Sequence, residues 1–162
     1  HRGRKGNTYD GGQVVPTICY WKNQIVNGVI KEQAMNIDFL PTFCEIAGVD
    51  LPTDRIIDGK SLLPLLKGET NCSPHDYLVY INSTVPDNQG FGVRSRDNFK
   101  YYKAANSENA LYRDMRIHSF LFDLNHDTDE SYDVKTLHPE KYKELKDYLD
   151  SFNESIEKNP RG

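Results

Sequence analysis

Residues 3–16 read GRKGNTYDGGQVVP and form the most specific stretch of this chain. The stretch contains four glycines: Gly3, Gly6, Gly11 and Gly12. Glycine allows backbone conformations with positive φ and lets the backbone approach a ligand closely. Lys5 stands between these glycines and carries a compact positive charge that can meet an oxyanion. The stretch therefore predicts a loop that binds an anion.

The spacing of this stretch excludes a phosphate-binding P-loop. Gly3 and Gly6 lie too close together, and Lys5 precedes rather than follows the second glycine. An isolated lysine is usually a solvated side chain. For Lys5, the surrounding motif favours a functional role instead.

Further motifs follow in order along the chain. Residues 37–42 read IDFLPT, residues 58–68 read DGKSLLPLLKG, and residues 121–124 read LFDL, with Glu130 beyond them. Together with residues 5–12, this order resembles the last third of type I sulfatases, the formylglycine-dependent hydrolases of the alkaline phosphatase superfamily. The resemblance covers about the whole chain and is densest over residues 1–68. The chain has Asp10 where that family usually has glutamate.

The resemblance implies a role for each residue of the first loop. Lys5 would be catalytic, because it would contact an oxygen of the sulfate ester and stabilise the charge that grows in the transition state. Gly6, Asp10, Gly11 and Gly12 would shape the loop around it. The implied activity is hydrolysis of a sulfated small molecule or saccharide.

The resemblance also implies a formylglycine nucleophile and a calcium ion held by oxygen ligands. The nucleophile arises from a C/S-x-P/A-x-R motif, and the nearest match, which begins at Cys72, has Asp76 in place of the arginine. The calcium ligands of the family precede the lysine motif, so we expect no metal ligand in this chain. The chain is interpreted as the C-terminal part of a sulfatase, inactive alone, whose partner is the missing N-terminal portion.

Composition limits the remaining function classes. A net charge of −4, from 20 basic and 24 acidic side chains, gives no signal for nucleic-acid binding. No apolar run approaches the roughly 18 residues of a membrane span, so we expect no membrane partner. The spacings of Cys19, Cys44 and Cys72 fit no zinc motif. The family resemblance implies a periplasmic, secreted or lysosomal location.

Local patterns predict an α/β fold that is α+β within this chain. Residues 14–21 are predicted to form a strand. One helix is predicted between Asp38, which would cap it, and Gly48, and a second helix is predicted from Ser61 to Gly68. Four strands are predicted at residues 77–81, 91–95, 99–102 and 120–124. A last helix begins at Pro139 and has one apolar stripe: Tyr142, Leu145, Leu149, Phe152 and Ile156.

These elements predict two domains. Residues 1–70 would be a remnant of the catalytic α/β domain, and residues 71–162 an antiparallel four-stranded sheet packed by the terminal helix. The apolar faces of the first domain would normally pack on the missing parallel sheet. We therefore expect self-association of the isolated chain or an exposed apolar patch.

Substrate binding is assigned to the second domain. Arg94 and Arg96 are two residues apart, so their side chains share a face if the strand continues through both, and they would grip an anionic saccharide. His118 is added because it precedes a strand near the expected cleft. For the arginines, an exposed edge protected by charge remains an alternative.

Three other functions stay open on the sequence alone. The first is a phosphodiesterase or phosphonate hydrolase of the same superfamily. The second is a non-catalytic carbohydrate-binding or interaction module, with Trp21, Tyr101 and Tyr102 as stacking surfaces. The third is a degenerate sulfatase homologue.

Overall fold

The computed structural model describes residues 1–5, 8–81, 90–104 and 118–159. Contacts divide them into two compact units, one made by residues 1–15 with 77–159 and the other by residues 16–76. The second part of the larger unit begins at Tyr77, near the domain boundary expected at residue 70. The first fifteen residues belong to this unit as well, although the sequence grouped them with the smaller one.

The larger unit is built on an antiparallel sheet of four strands in the order β1-β2-β3-β4. The strands are β1 (Tyr77–Ile81), β2 (Gly90–Ser95), β3 (Phe99–Tyr102) and β4 (Phe120–Asp123). All four strand predictions are confirmed to within a residue at each end. The β2–β3 hairpin turns through residues 96–98, where Asn98 has a φ of 67°, a conformation that asparagine tolerates better than most residues.

One face of this sheet is covered by the C-terminal helix, Pro139–Lys158. Leu145 and Leu149 are fully buried against the sheet residues Val93, Tyr101 and Leu121. Burial of each leucine contributes roughly 1.5–3 kcal/mol to folding. The first three positions of the predicted apolar stripe, Tyr142, Leu145 and Leu149, therefore form the packing face of the helix.

The opposite face of the sheet is covered by the start of the chain. Tyr9 packs into a cluster with Tyr102 and Phe122, and its ring centroid lies 5.3 Å from that of Tyr102. Tyr102 and Phe122 directly follow Tyr101 and Leu121, which face the helix. This alternation is the period of two expected of strands that are buried on both faces.

The smaller unit contains a helix at Phe39–Ala47 and a short helix at Leu63–Leu66. The longer helix ends as predicted at Gly48, which has a left-handed φ of 65°. The strand predicted at residues 14–21 is wrong, because the described structure is irregular there. A strand needs a neighbour for its backbone hydrogen bonds, and the sheet described in this structure begins only at Tyr77.

Asp38 was predicted to cap the longer helix, but its side chain makes no capping hydrogen bond. Its carboxylate instead accepts hydrogen bonds from the backbone N–H of Met35 and of Lys60 and lies 2.7 Å from Nε2 of His75. Gly59 packs directly against the carbonyl of Ile37, where a Cβ atom would lie only 2.1 Å from the oxygen. The IDFLPT and DGKS motifs are thus structural partners of each other.

Large apolar side chains remain exposed in the smaller unit. A pocket of about 470 Å³ lies in this unit and is lined mostly by apolar residues, among them Ile18, Trp21 and Phe43. Ile18 is 94% exposed and Phe43 is 62% exposed. This is the exposed apolar patch that the sequence predicts. No described helix is both long and apolar enough to cross a membrane.

Candidate functional site

The lysine loop, residues 2–13, is closed by a backbone hydrogen bond across its base. The N–H of Gly11 donates to the carbonyl of Arg2 at 2.8 Å. A Cβ atom on Gly11 would lie 2.5 Å from the carbonyl oxygen of Arg2 and 2.6 Å from that of Gly3. Only glycine allows the two chain segments to come this close. Lys5 lies within the closed loop and is exposed to solvent.

A single helical turn, Asp10–Gln13, ends the loop and buries the Asp10 side chain. Oδ1 of Asp10 accepts a hydrogen bond from Nζ of Lys100 at 2.6 Å. The backbone N–H of Asp10 donates to Oε2 of Glu130 at 2.7 Å. Asp10 therefore connects the loop to β3 through its side chain and to the segment after β4 through its backbone.

Glu130 is the second buried carboxylate of this site. Its Oε1 lies 3.0 Å from Nζ of Lys100 and 2.5 Å from the hydroxyl of Tyr102. Its backbone carbonyl accepts a hydrogen bond from Nη1 of Arg2 at 3.0 Å. Glu130 therefore contacts both the beginning of the loop, at Arg2, and its end, at Asp10.

Charge is balanced within this group. The carboxylates of Asp10 and Glu130 face the ammonium of Lys100 and the guanidinium of Arg94, whose Nη1 lies 3.7 Å from Oδ2 of Asp10. We call these four residues the buried ion cluster. Charges placed in a protein interior require such pairing, because burial removes their hydration.

Two tyrosines extend the buried ion cluster. Nζ of Lys100 lies 4.5 Å from the ring centroid of Tyr80 and 5.2 Å from that of Tyr102. Burial raises the pKa of both phenols well above its usual value, and nearby carboxylates add to the effect. Both hydroxyls therefore keep their protons, and the Tyr102 hydroxyl donates a hydrogen bond to Oε1 of Glu130. The cluster is suited to holding the loop in place rather than to proton transfer with a ligand.

The structure separates the residues that the sequence assigned to substrate binding. Arg94 is in β2, where its side chain is 20% exposed and donates to Oδ1 of Asn98 as well as pairing with Asp10. The strand ends at Ser95, so Arg96 lies in the exposed turn, and the two arginines do not share a strand face. His118 is exposed just before β4.

Among the other predicted site residues, the structure brings Asp10, Gly11 and Gly12 together in the turn that ends the lysine loop. Gly6 lies outside the described residues. The structure adds Lys100, Tyr102 and Glu130, which the sequence did not assign to the site. The one signal for Lys100 was a charged residue within an aromatic strand, at a position that shares the face of Tyr102.

No group of three or more His, Cys, Asp or Glu residues that could hold a metal ion occurs within residues 1–5, 8–81, 90–104 and 118–159. Cys19, Cys44 and Cys72 are free thiols.

The family model described as "N-sulphoglucosamine sulphohydrolase, C-terminal" matches residues 4–158, which include most of the lysine loop, the sheet and the whole terminal helix. The chain belongs to this family. The sulfatase C-terminal fold predicted from the sequence is thereby confirmed.

Curated relatives of this sulfatase C-terminal domain are sulfatases. Steryl-sulfatase of Rattus norvegicus is 44% identical over 81 residues, covering 49% of this chain and 14% of its own length. Arylsulfatase A of Homo sapiens is 32% identical over 142 residues, covering 80% of this chain and 28% of its own length. The domain therefore spans less than a third of the length of each of these relatives.

Two solved structures are similar to the domain. The PsFucS1 sulfatase from Pseudoalteromonas sp. covers 99% of this chain with a TM-score of 0.76, at 22% identity and over 34% of its own chain, and it supports the fold. BT4656, solved in complex with its substrate D-glucosamine-2-N,6-O-disulfate, covers 78% of this chain and 25% of its own, with a TM-score of 0.52 and 29% identity.

Proposed function

We propose that the complete protein hydrolyses sulfate esters and that this domain supplies Lys5 to its active site. The observation that carries the proposal is an exposed lysine on a glycine-closed loop, in a chain whose family is that of sulfatase C-terminal domains. A fixed ammonium beside a sulfate oxygen stabilises the negative charge that develops as the ester bond breaks. The same group is suited to assisting protonation of the leaving alcohol.

The nucleophile and the metal belong to the rest of the proposed enzyme. A formylglycine would supply a hydrated aldehyde that attacks sulfur, and a calcium ion would bind the sulfate through hard oxygen contacts. We place the residues that carry both outside this chain. The contribution of this domain is to hold the Lys5 ammonium where the sulfate binds.

The proposed substrate class is a sulfated saccharide. The support is the similarity to BT4656, whose substrate is a disulfated glucosamine, and the basic residues Arg94, Arg96 and His118 in the larger unit. A second sulfate or a carboxylate on a sugar is well matched by the paired donors of an arginine. We also propose a periplasmic, secreted or lysosomal location for the complete protein.

The test of the proposed function is Lys5→Ala in the complete protein, assayed with a chromogenic aryl sulfate. Loss of one preorganised donor to the developing charge is expected to lower kcat by roughly a hundredfold or more. The matched control is Lys143→Ala, because Lys143 is a largely exposed lysine on the terminal helix. Unchanged kcat and kcat/KM in a folded Lys5→Ala enzyme would contradict the proposal.

A further inference from the structure

We propose that Glu130 and Lys100 are positioning residues for Lys5 and act on it through the lysine loop. This inference rests on the proposed function, because it concerns how Lys5 reaches the sulfate. The contacts of the buried ion cluster carry it. Both residues are fully buried, and they contact other residues of this domain.

The first step is that the cluster holds the loop on both sides of Lys5. Before Lys5, the side chain of Arg2 donates to the carbonyl of Glu130. After Lys5, the hydroxyl of Tyr102 lies 2.7 Å from the carbonyl oxygen of Thr8, and Asp10 is held by Glu130 and Lys100. Described residues on both sides of Lys5, namely Arg2 before it and Thr8 and Asp10 after it, are therefore held by these contacts.

The second step concerns why charges occupy this position. A buried ion pair is costly to desolvate, and apolar residues of similar volume often give equal or greater stability. The surrounding cluster of Tyr9, Phe91, Tyr102, Phe122 and Leu124 already provides an apolar core on this face. What ionic hydrogen bonds add is direction, because each donor requires its acceptor at one place. We infer that the cluster fixes the position of the loop rather than merely its attachment.

The third step connects position to rate. Misplacing a group by about 1 Å can reduce catalysis by roughly a hundredfold. Lysine has a long and flexible side chain, so its ammonium can be placed reproducibly only if its backbone is fixed. Lys100 supplies that constraint from β3, and Glu130 supplies it from the segment after β4.

The test is a double-mutant cycle in the complete protein, measured as kcat on an aryl sulfate. Glu130→Gln keeps the side-chain size but replaces one acceptor oxygen with a donor group. With Lys5 present, we expect kcat to fall by about tenfold or more. In a Lys5→Ala background, the same substitution should change kcat by less than about twofold, because the loop then has no ammonium to place.

Tyr102→Phe is the second variant and guards against misfolding of Glu130→Gln. It removes only the hydroxyl that contacts Thr8 and Glu130 and retains the packed ring. As for Glu130→Gln, we expect Tyr102→Phe to lower kcat when Lys5 is present and to change kcat by less than about twofold in the Lys5→Ala background. Glu154→Gln and Tyr132→Phe, at exposed positions, are the matched controls and should leave kcat unchanged in both backgrounds.

The outcomes separate the two proposals. If Lys5→Ala lowers kcat but Glu130→Gln and Tyr102→Phe lower it by equal factors with and without Lys5, their role is structural and the positioning proposal is overturned. Full kcat in both folded variants would overturn it as well. If Lys5→Ala itself leaves kcat unchanged, the proposed function fails and the positioning proposal fails with it.

Discussion

Nζ of Lys100 lies 2.6 Å from Oδ1 of Asp10, although the two residues are 90 positions apart in the chain. Lys100 is in β3, and Asp10 is in the turn that ends the lysine loop. The pair is buried beside a second carboxylate, Glu130. It joins the loop that carries Lys5 to the sheet that forms the core of the larger unit.

The pair predicts a large effect of Lys100→Met on stability. The substitution keeps a long side chain but leaves the buried carboxylates of Asp10 and Glu130 without their ammonium. We expect the free energy of unfolding to fall by about 3–5 kcal/mol, measured by urea denaturation. Lys143→Met, which removes an exposed helix pair, should cost no more than about 0.5 kcal/mol. Equal losses in the two variants would mean that the buried pair contributes little.

Closure of the lysine loop predicts that Gly11→Ala is destabilising. The added Cβ atom would overlap the carbonyl oxygens of Arg2 and Gly3, so the hydrogen bond at the base of the loop must open. We expect a loss of at least about 1–3 kcal/mol in the free energy of unfolding. Gly28→Ala is the control, because a Cβ atom there meets nothing within 4 Å. A Gly11→Ala protein as stable as Gly28→Ala would show that the loop can close differently.

The Asp38–His75 pair predicts that the stability of the protein falls at low pH. Burial alone would raise the pKa of Asp38, but hydrogen bonds from His75 and from the backbone of Lys60 and Met35 outweigh it and hold the pKa below 3.8. A carboxylate whose pKa is lowered by folding stabilises the protein above its unfolded pKa, and this contribution is lost as the pH falls through the folded pKa.

The measurement is urea unfolding of the wild type and of Asp38→Asn from about pH 5 to about pH 2. The wild type should be the more stable protein at the upper end, and the difference should shrink once the pH is below 3.8. A difference that stays constant over this range would show that ionisation of Asp38 contributes nothing.

The proposed division of the active site predicts that this chain alone is inactive. A lysine cannot replace a covalent nucleophile and a set of carboxylate ligands. The purified chain should give no turnover of a chromogenic aryl sulfate and no high-affinity calcium binding by calorimetry. Calcium-dependent turnover by the chain would refute the assignment of both groups to the rest of the protein.

The proposed substrate class predicts a selective effect of Arg96→Ala in the complete protein. KM should rise for an anionic sulfated saccharide and stay unchanged for a small aryl sulfate, which has no second anion to bind. Arg94→Ala should raise the same KM but also disturb Asp10, which Arg94 contacts. Equal effects of Arg96→Ala on both substrates, or none, would mean that Arg96 does not bind the second anion of the saccharide.

Local periodicity and local turn chemistry predicted the regular elements of the larger unit. The strands at residues 99–102 and 120–123 alternate between the two faces of the sheet, and Leu145 and Leu149 recur at helical spacing. Gly48 and Asn98 take the positive φ values that their residue types favour. These features depend on neighbours within a few positions, so a single sequence contains the information.

Tertiary structure alone decided which distant groups meet. The sequence placed Asp10 in a loop and Lys100 in a strand, but no local pattern predicts that their side chains form an ion pair. The same limit explains residues 14–21, whose strand-like composition cannot form a strand without a hydrogen-bonding neighbour. It also explains Asp38, which meets Lys60 and His75 rather than capping its own helix. Propensity and periodicity are local quantities, whereas buried charge is placed by packing between distant parts of the chain.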